Sequence, residues 1–393
     1  MERATRLNSI PPYLFGEIAK LKAQAIAEGK DLIDLGIGDP DQPTPQPIID
    51  KLCEFANNPE NHRYDESNAG VPEFLDSVSR WYMRRFGVEI DPNTEALLLI
   101  GSKEGLAHLA WAMIDPGDLS LVPDPAYTVY KINTLMAGGD VAIMPLLAEN
   151  SFLPDLTAIP SDVARRAKLM FLCYPNNPTG AVATSEFFAD VVAFAKQYDI
   201  AVCHDCAYSE IAFDGYKPLS FMQTPGAKDV GVEIHSLSKT FNMTGWRIGF
   251  AVGNPMIIKA LNSIKSYIDS KQFAAIPLAG AYALDNLNND AAVSLIQRRR
   301  DILLDGLNSL GWKLEKPKAT FYVWIPTPPG YSSAEFATAL MQQAGVLAIP
   351  GNGYGQYGEG YVRMSLTVAG DVNGERIAQA TERIRDNMNI NWG

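Results

Sequence analysis

One lysine of this chain stands in a setting that suits covalent chemistry. Lys239 lies in the run 236–249 among hydroxyl side chains and glycines, and Arg247 follows in the same run. Most lysines are solvent-exposed, but the neighbours of Lys239 are small or apolar, unlike the charge-rich stretch 297–301, which is typical of a surface. An amine in such surroundings can form an imine with an aldehyde, while arginine and hydroxyl donors bind a phosphate. These residues predict pyridoxal phosphate (PLP) as a cofactor.

Four further side chains could bind the ring of such a cofactor. Asp205 follows an apolar strand pattern and could hydrogen-bond a protonated ring nitrogen, which would keep the ring an electron sink. Tyr208 and Asn177 could each donate to the phenolate oxygen, and Tyr127 could stack on the ring. Taken singly, these residues are as typical of turns or of a packed core. Their joint occurrence favours a binding site.

The phosphate has candidate donors in two segments. Ser102 lies between a predicted strand and a predicted helix, where the first N–H groups of the helix and the hydroxyl suit an anion. A simple helix cap explains Ser102 equally well. Ser236, Ser238 and Arg247 supply the remaining donors.

Short apolar runs alternate with helical patterns through the middle of the chain. The runs 96–100, 119–122 and 168–172 each precede a helical pattern, which indicates a parallel sheet covered by helices on both faces. The sequence therefore predicts an α/β fold with a large PLP-binding domain, whose sheet is mainly parallel, and a smaller α+β lobe.

The pattern also suggests domain boundaries. We assign 40–279 to the large domain and 280–393 to the small C-terminal α+β domain. The segment 1–39, helical from about 14 to 28, is expected to pack on the small lobe or on a partner subunit.

Composition excludes several classes of partner. The 393 residues, 47% apolar and 20% charged, are typical of a soluble protein that can bury a large core. A net charge of −12 argues against nucleic acid and anionic membranes as partners. We expect a cytoplasmic protein, because no apolar run is long enough to span a bilayer and the N-terminus lacks an apolar signal region.

The four cysteines predict neither a disulfide framework nor a metal site. Cys203 and Cys206 form a C-x-x-C pair, but no second cysteine pair or histidine pair would complete a zinc site. The pair also ends an apolar strand instead of opening a helix that would stabilise a thiolate. We expect no metal.

Several motifs together indicate a family. They are 35–40 (Leu-Gly-Ile-Gly-Asp-Pro), Tyr64 with Gly70, 177–180 (Asn-Pro-Thr-Gly), 205–208 (Asp-Cys-Ala-Tyr), 236–239 (Ser-Leu-Ser-Lys), Arg247 and Arg363. With them the chain resembles the fold-type I, class I/II aminotransferases over essentially its whole length; the combination is specific, although no single motif is. The resemblance implies an imine at Lys239 and a homodimer in which Tyr64 reaches the phosphate bound by the other subunit. It also implies that Gly38 approaches the substrate through its backbone.

The resemblance further implies that Arg363 binds the α-carboxylate of the substrate. A planar guanidinium binds a carboxylate through two parallel hydrogen bonds, and the neighbours of Arg363 are apolar. We interpret the glycine-rich stretch 351–360 as a mobile active-site loop, because it lies far from any βαβ unit that a dinucleotide-binding loop would require.

The reaction that follows is a ping-pong transamination between an amino acid and a 2-oxo acid, with Lys239, Asp205 and Tyr208 as catalytic residues. The substrate amine displaces Lys239 from the imine, and the freed amine then moves a proton between the substrate Cα and the cofactor. The first product leaves as a 2-oxo acid before the second 2-oxo acid binds.

Within the family, the stretches 11–15, 101–104 and 123–127 look most like the LL-diaminopimelate aminotransferase branch. In that branch Tyr13, Lys103 and Tyr127 would line the distal end of the pocket, and Lys103 would meet a second carboxylate. The chain departs from the branch at Ser67, where a glutamate is expected, and Lys271 could bind a dicarboxylic substrate or be solvated.

Other activities stay open at this point. Alanine, aspartate, methionine or aromatic amino acids could be the donor in place of LL-diaminopimelate. A PLP-dependent lyase that breaks C–S bonds or closes a ring would use the same site. A PLP-sensing regulator would need an added DNA-binding module, and the net negative charge argues against one.

Overall fold

The computed structural model describes residues 4–11, 16, 22–24, 26–64, 69–388 and 390. The strands are β1 (Ile33–Asp34), β2 (Ala96–Leu99), β3 (Leu119–Asp124), β4 (Asp140–Pro145), β5 (Ala167–Cys173), β6 (Ala201–Asp205), β7 (Gly231–Ser236), β8 (Gly249–Gly253), β9 (Tyr322–Pro326), β10 (Val346–Leu347), β11 (Ile349–Pro350) and β12 (Tyr361–Ser365).

Seven of these strands form one large sheet in the order β2-β8-β7-β6-β5-β3-β4. The neighbours from β7 to β4 pair in parallel, whereas β8 runs antiparallel to both β2 and β7. The predicted α/β fold with a mainly parallel sheet is confirmed.

Helices separate the strands. They are α1 (Gln46–Ala56), α2 (Pro72–Phe86), α3 (Ser102–Met113), α4 (Val129–Ala137), α5 (Ser161–Arg166), α6 (Ser185–Tyr198), α7 (Ala227–Val230), α8 (Leu237–Thr240), α9 (Pro255–Lys265), α10 (Ala275–Asn286), α11 (Asp290–Ser309), α12 (Ser333–Ala339) and α13 (Glu375–Asn387). Local chemistry sets several of their ends: the Thr184 side chain accepts from the Phe187 N–H at the start of α6, and Gly87 ends α2 in a left-handed conformation.

Each face of the large sheet packs against its own hydrophobic cluster. On β2, Leu98 belongs to one cluster, whereas Leu97 and Leu99 belong to the other. Successive side chains of a strand point to opposite faces, so both faces of β2 are covered by apolar residues. This burial explains why the strands read as continuous apolar runs in the sequence.

The C-terminal part of the chain forms a smaller lobe around a third cluster. Its antiparallel sheet has the order β11-β12-β9, and β1 pairs in parallel with β10. Through β1 the N-terminal segment joins this lobe. The boundaries proposed at 39/40 and 279/280 stay a prediction.

The stretch 297–301 lies on α11, and the expectation that it is a solvent-exposed charged stretch is wrong for two of its arginines. The side chains of Arg299 and Arg300 are 0% and 1% exposed. Arg299 pairs with Asp41 and Arg300 with Asp214, and both acids lie far from α11 in sequence. A run of charged residues in the sequence does not show which of them will be buried in an ion pair with a distant carboxylate.

Two further features complete the fold. The helix expected over 14–28 is helical at Gly16 and in 22–24 and 26–27, and the rest of that range, apart from Glu28 in a turn, lies outside the described residues. Among the described residues, no helix is both long and apolar enough to cross a bilayer.

Candidate active site

The direction of the strands brings distant residues to one edge of the large sheet. β2, β3, β5, β6 and β7 run the same way and end at this edge, and β8 begins there. Ligands of α/β sheets bind at such carboxyl ends. A cavity of about 620 Å³ opens here. Its walls contain the predicted residues Gly38, Ser102, Lys103, Tyr127, Asn177, Asp205, Tyr208, Ser236, Ser238, Lys239, Arg247 and Arg363.

Lys239 lies on the short helix α8, directly after β7, and its side chain faces the cavity. Its Nζ donates to the Gly38 carbonyl at 3.3 Å and lies 5.6 Å from the centre of the Phe321 ring. Burial lowers the pKa of the Lys239 amine to about 8; the Asp39 carboxylate opposes this shift, and Arg247 and Arg363 add to it. Near neutral pH the amine is therefore far closer to its nucleophilic form than an exposed lysine is.

Asp205 ends β6, and its two carboxylate oxygens have different surroundings. Oδ2 accepts a 2.8 Å hydrogen bond from the hydroxyl of Tyr130. Oδ1 is buried and has no hydrogen-bond partner among the described residues. Burial raises the pKa of Asp205, while the Tyr130 hydroxyl and His204 oppose the shift. Since a buried acceptor without a partner is costly, Oδ1 is suited to a donor on a bound molecule.

Arg363 lies on β12, is 1% exposed, and is oriented by contacts from three segments. Its Nη1 donates to Oδ1 of Asn177 at 2.9 Å, and its Nη2 donates to the Gly36 carbonyl at 2.7 Å. The guanidinium carbon lies 4.0 Å from the centre of the Tyr322 ring. A cation stacked on an aromatic ring and held by two acceptors is pre-oriented for a planar anion.

Asn177 itself is placed by the loop that follows β5. Asn176 holds this loop, because its Nδ2 donates to the Cys173 carbonyl at 3.0 Å and its Oδ1 accepts from the Thr179 N–H at 3.0 Å. The loop thereby connects the end of a sheet strand with the carboxylate-binding candidate Arg363.

The candidate phosphate donors meet where α3 begins. Gly101 has a φ of +80°, and a Cβ at this position would collide with the guanidinium of Arg247. Arg247 is therefore packed directly against the backbone that leads into Ser102. Ser236 and Ser238 line the same cavity.

An ion pair between Glu104 and the buried Lys265 stabilises this turn. Oε2 of Glu104, in the first turn of α3, accepts from the Ile100 N–H at 2.9 Å, and Oε1 lies 3.0 Å from the buried Nζ of Lys265. The pair fixes the strand-to-helix turn that presents Ser102.

Sequence reasoning missed two tyrosines of the site, Tyr130 and Tyr322. The Tyr322 hydroxyl lies 3.2 Å from that of Tyr208, and a Cβ at Gly38 would collide with it. Burial raises the pKa of Tyr208, so its hydroxyl keeps a proton that it can donate. The position of Tyr130, one turn after Tyr127 on the same helical pattern, was the one available signal. Asp39, Ile37, Cys173, Ala207 and Thr244 also line the cavity.

Two of the predicted residues that the structure describes, Tyr64 and Lys271, do not line the cavity. Tyr64 is 82% exposed and does not line it. Lys271, with a φ of +64°, is also absent from its walls, and its N–H donates to Oδ1 of Asp269. Tyr13 and Ser67 lie outside the described residues.

The glycine-rich stretch 351–360 forms two short 3-10 turns next to the cavity. The carboxylate of Asp124, at the end of β3, accepts from the N–H groups of Gln356 (3.1 Å) and Tyr357 (2.9 Å). The ring of Tyr354 lies 4.9 Å from the guanidinium of Arg363. The mobility expected for this stretch stays a prediction.

The C-x-x-C pair is buried. The Sγ of Cys206 contacts the Tyr174 carbonyl at 3.7 Å, and Cys203 packs in a hydrophobic cluster. Burial raises the pKa of both thiols, which disfavours a reactive thiolate.

The chain resembles known proteins over nearly its whole length. The sequence model described as aminotransferase class I and II matches residues 30–384. A protein named LL-diaminopimelate aminotransferase from Moorella thermoacetica is 57% identical over 387 residues, which cover 98% of each chain. A protein of the same name from Syntrophobacter fumaroxidans is also 57% identical, with the same coverage.

Among solved structures, substrate-bound BacF from Bacillus subtilis is similar over 100% of this chain and 99% of its own. The TM-score is 0.94 and the sequence identity is 38%. The likeness therefore extends from the sheet to the cavity and the smaller lobe.

Proposed function

Because the chain belongs to the class I and II aminotransferases, we propose that it is a PLP-dependent enzyme that transfers an amino group from LL-diaminopimelate to 2-oxoglutarate. Relatives named LL-diaminopimelate aminotransferase support this substrate, since they are 51–57% identical over 94–98% of the chain. The amino acid and the 2-oxo acid would bind in turn, as in ping-pong kinetics.

One observation carries the cofactor proposal: Lys239 and the unsatisfied Oδ1 of Asp205 face the same cavity. The residues present fit PLP. Lys239 would hold its aldehyde carbon, Asp205 its ring nitrogen, and Tyr208 and Asn177 its phenolic oxygen. Tyr127 would stack on the ring. The phosphate donors would be the side chains of Ser102, Ser236, Ser238 and Arg247 and the backbone N–H of Lys103.

PLP, when bound, accepts the amino group and delocalises the electrons left on the substrate carbon. The residues of the chain supply binding and proton transfer. With a pKa of about 8, the Lys239 amine can accept a proton at Nζ and return it without a large free-energy difference. Asp205, whose Oδ2 accepts a hydrogen bond from the Tyr130 hydroxyl, would accept a second hydrogen bond at Oδ1 from the protonated ring nitrogen.

Arg363 would bind the α-carboxylate of the substrate. Its guanidinium has five N–H donors, and the contacts to Asn177 and Gly36 orient their plane. The backbone of Gly38 would border the substrate, because Tyr322 leaves no room for a side chain there.

At the distal end of the pocket we propose that Lys103 binds a second carboxylate of the substrate. The Nζ of Lys103 lies 6.0 Å from the centre of the Tyr127 ring. Tyr13 would complete this wall.

We also propose a homodimer with shared active sites. In this dimer, Tyr64, which is exposed in the single chain, would contact the phosphate bound in the other subunit. A mixture of two inactive variants, Lys239→Ala and Tyr64→Ala, would test the sharing: it should regain up to about a quarter of the activity, the share of intact sites in randomly mixed dimers. No recovery after subunit exchange would contradict the shared site.

The cofactor is tested by absorption spectroscopy. The protein purified with PLP should show a visible absorption band that disappears on borohydride reduction and is absent from Lys239→Ala. A reduced peptide carrying the cofactor at another lysine would contradict the assignment of Lys239.

The substrate is tested with a panel of amino donors and 2-oxoglutarate. Glutamate should form fastest with LL-diaminopimelate, and alanine, aspartate, methionine and aromatic amino acids serve as competitors. If one of these donors is faster, the substrate proposal is wrong but the class is retained. Release of ammonia and pyruvate without glutamate would instead indicate a lyase.

A further inference from the structure

The buried Arg299 binds more partners than a simple ion pair would require. Its two terminal nitrogens donate to the two carboxylate oxygens of Asp41, each at 2.8 Å. The same guanidinium donates to the Leu366 carbonyl at 2.9 Å and, through Nε, to the Asp371 carbonyl at 3.0 Å. The side chains of Arg299 and Asp41 are 0% and 4% exposed. The pair thus joins α11 and the end of β12 to a distant segment of the chain.

That segment, residues 36–41, is called the wall segment below because it forms part of the cavity wall. Its Gly36 carbonyl accepts from Nη2 of Arg363 at 2.7 Å, and its Gly38 carbonyl accepts from Nζ of Lys239 at 3.3 Å. The wall segment therefore touches both the amine and the guanidinium on which the proposed function rests.

The chain between Asp41 and Gly38 is short and stiff. Pro40 has a fixed φ, and a proline also restricts the backbone of the residue before it, which is Asp39. A displacement of Asp41 is therefore passed to Gly38 instead of being absorbed between them. At the other end, the Ile37 carbonyl accepts from the Thr367 hydroxyl at 2.9 Å, so the wall segment is held at both ends.

We propose that Arg299 and Asp41 are positioning residues for the transamination: their bidentate pair fixes the wall segment, and the wall segment orients Lys239 and Arg363. This inference rests on the proposed function, because it assigns a role in that reaction. Neither residue touches the cavity, so both act through Gly36 and Gly38.

The same helix offers a matched control. Arg300, the next residue, is 1% exposed and pairs with Asp214 at 2.7 Å, and it also donates to the Pro317 carbonyl at 3.1 Å. It has no contact with the wall segment among its hydrogen bonds. Arg299→Lys and Arg300→Lys therefore each remove a buried guanidinium and keep the charge, but only the first reaches the active site.

The test compares Arg299→Lys and Asp41→Asn with Arg300→Lys and Asp214→Asn. Steady-state kinetics should show kcat/KM lowered about 100-fold in the first pair, the cost of misplacing reacting groups by about 1 Å. The second pair should stay within about twofold of the wild type. Because Asn has nearly the same shape as Asp, Asp41→Asn tests the same ion pair if Arg299→Lys does not fold.

Amide hydrogen exchange on the cofactor-free proteins gives a readout that needs no substrate. The N–H groups of Gly36 and Ile37, which donate to Oδ1 of Asp34, should exchange faster in the first pair than in the second. Unchanged exchange, or equal losses of kcat/KM in both pairs, would overturn the positioning role. A wild-type protein without transaminase activity would contradict the proposed function instead, and the exchange result would still decide whether the pair holds the wall segment.

Discussion

The hydroxyl of Tyr130 donates a 2.8 Å hydrogen bond to Oδ2 of Asp205, a residue 75 positions away in sequence. Both side chains are buried, and the Tyr130 ring stacks on Phe171 with a centre-to-centre distance of 5.0 Å. One oxygen of the carboxylate thus accepts a hydrogen bond from the protein, which leaves the other for the proposed cofactor.

Removing this hydroxyl should weaken cofactor binding. Burial raises the pKa of Asp205 and the Tyr130 hydroxyl opposes that shift, so Tyr130→Phe makes the ionised carboxylate less favourable. A hydrogen bond to a charged group is worth about 1.5–3 kcal/mol, so we expect the Kd of PLP for the cofactor-free protein to rise at least about tenfold. Tyr174→Phe, which loses a 2.8 Å hydrogen bond to the Phe152 carbonyl, is the control. Equal Kd values for the two variants would contradict this prediction.

The buried amine of Lys239 should destabilise the cofactor-free protein in a pH-dependent way. Its pKa is about 8 in the folded state and 10.5 in the reference state, so below pH 8 folding buries a full charge. As the pH rises from about 8 to 10.5, the unfolded state binds more protons than the folded state, and this penalty disappears.

Lys239→Met should therefore unfold at higher urea than the wild type at pH 7, with a gain of up to about 3 kcal/mol. The gain should shrink as the pH rises from about 8 through 10.5, above which only the packing difference is left. Lys259→Met, at an exposed position of α9, should show no such trend. A gain that is constant with pH would mean that the Lys239 amine is not desolvated.

Arg363→Lys should raise KM for every amino donor. A lysine cannot reproduce the two parallel hydrogen bonds of a guanidinium, nor its stacking on Tyr322. Loss of one charge-assisted hydrogen bond corresponds to an increase in KM of roughly 10- to 100-fold. Steady-state kinetics with several donors checks this, and an effect confined to one donor would point to binding of its side chain instead of its α-carboxylate.

Glu233 should be a major contributor to stability. This fully buried carboxylate accepts from His204 Nδ1 at 2.8 Å, from His235 Nε2 at 2.7 Å and from the Phe221 N–H at 2.7 Å. Glu233→Gln leaves these donors poorly matched, and we expect the free energy of unfolding to fall by about 3 kcal/mol. Glu54→Gln, whose side chain is 60% exposed, should change it by less than about 1 kcal/mol.

The same carboxylate predicts acid sensitivity. Burial raises the pKa of Glu233, but the hydrogen bonds from His204 and His235 outweigh it and hold the pKa well below 4.5. A depressed carboxylate pKa stabilises the folded state above the unfolded value, and this stabilisation is lost progressively as the pH falls from that value through the folded pKa. The difference in unfolding free energy between the wild type and Glu233→Gln should therefore shrink below about pH 4.5, as measured by urea unfolding at several pH values. A difference that persists at acid pH would contradict this account.

Much of the site could be predicted because strand periodicity and strand ends are local features. Asp205 at the end of β6 and Ser236 at the end of β7 line the same cavity because parallel strands end at one edge. The types of residue at these ends then indicate the chemistry. The role of Tyr322 could not be predicted, because its strand has the apolar pattern of an ordinary core strand. No local pattern shows that the Tyr322 ring stacks on the guanidinium of Arg363.

By itself, the sequence determined the α/β class, the candidate lysine and the set of polar groups around it, since apolar periodicity and residue type are properties of short stretches. Only the tertiary structure decided that Tyr130 meets Asp205 and that Arg299 binds Asp41, 258 residues away. Such pairs depend on how separate elements pack, and burial makes them specific: a buried charge or hydroxyl must find a partner, and the fold alone selects which one.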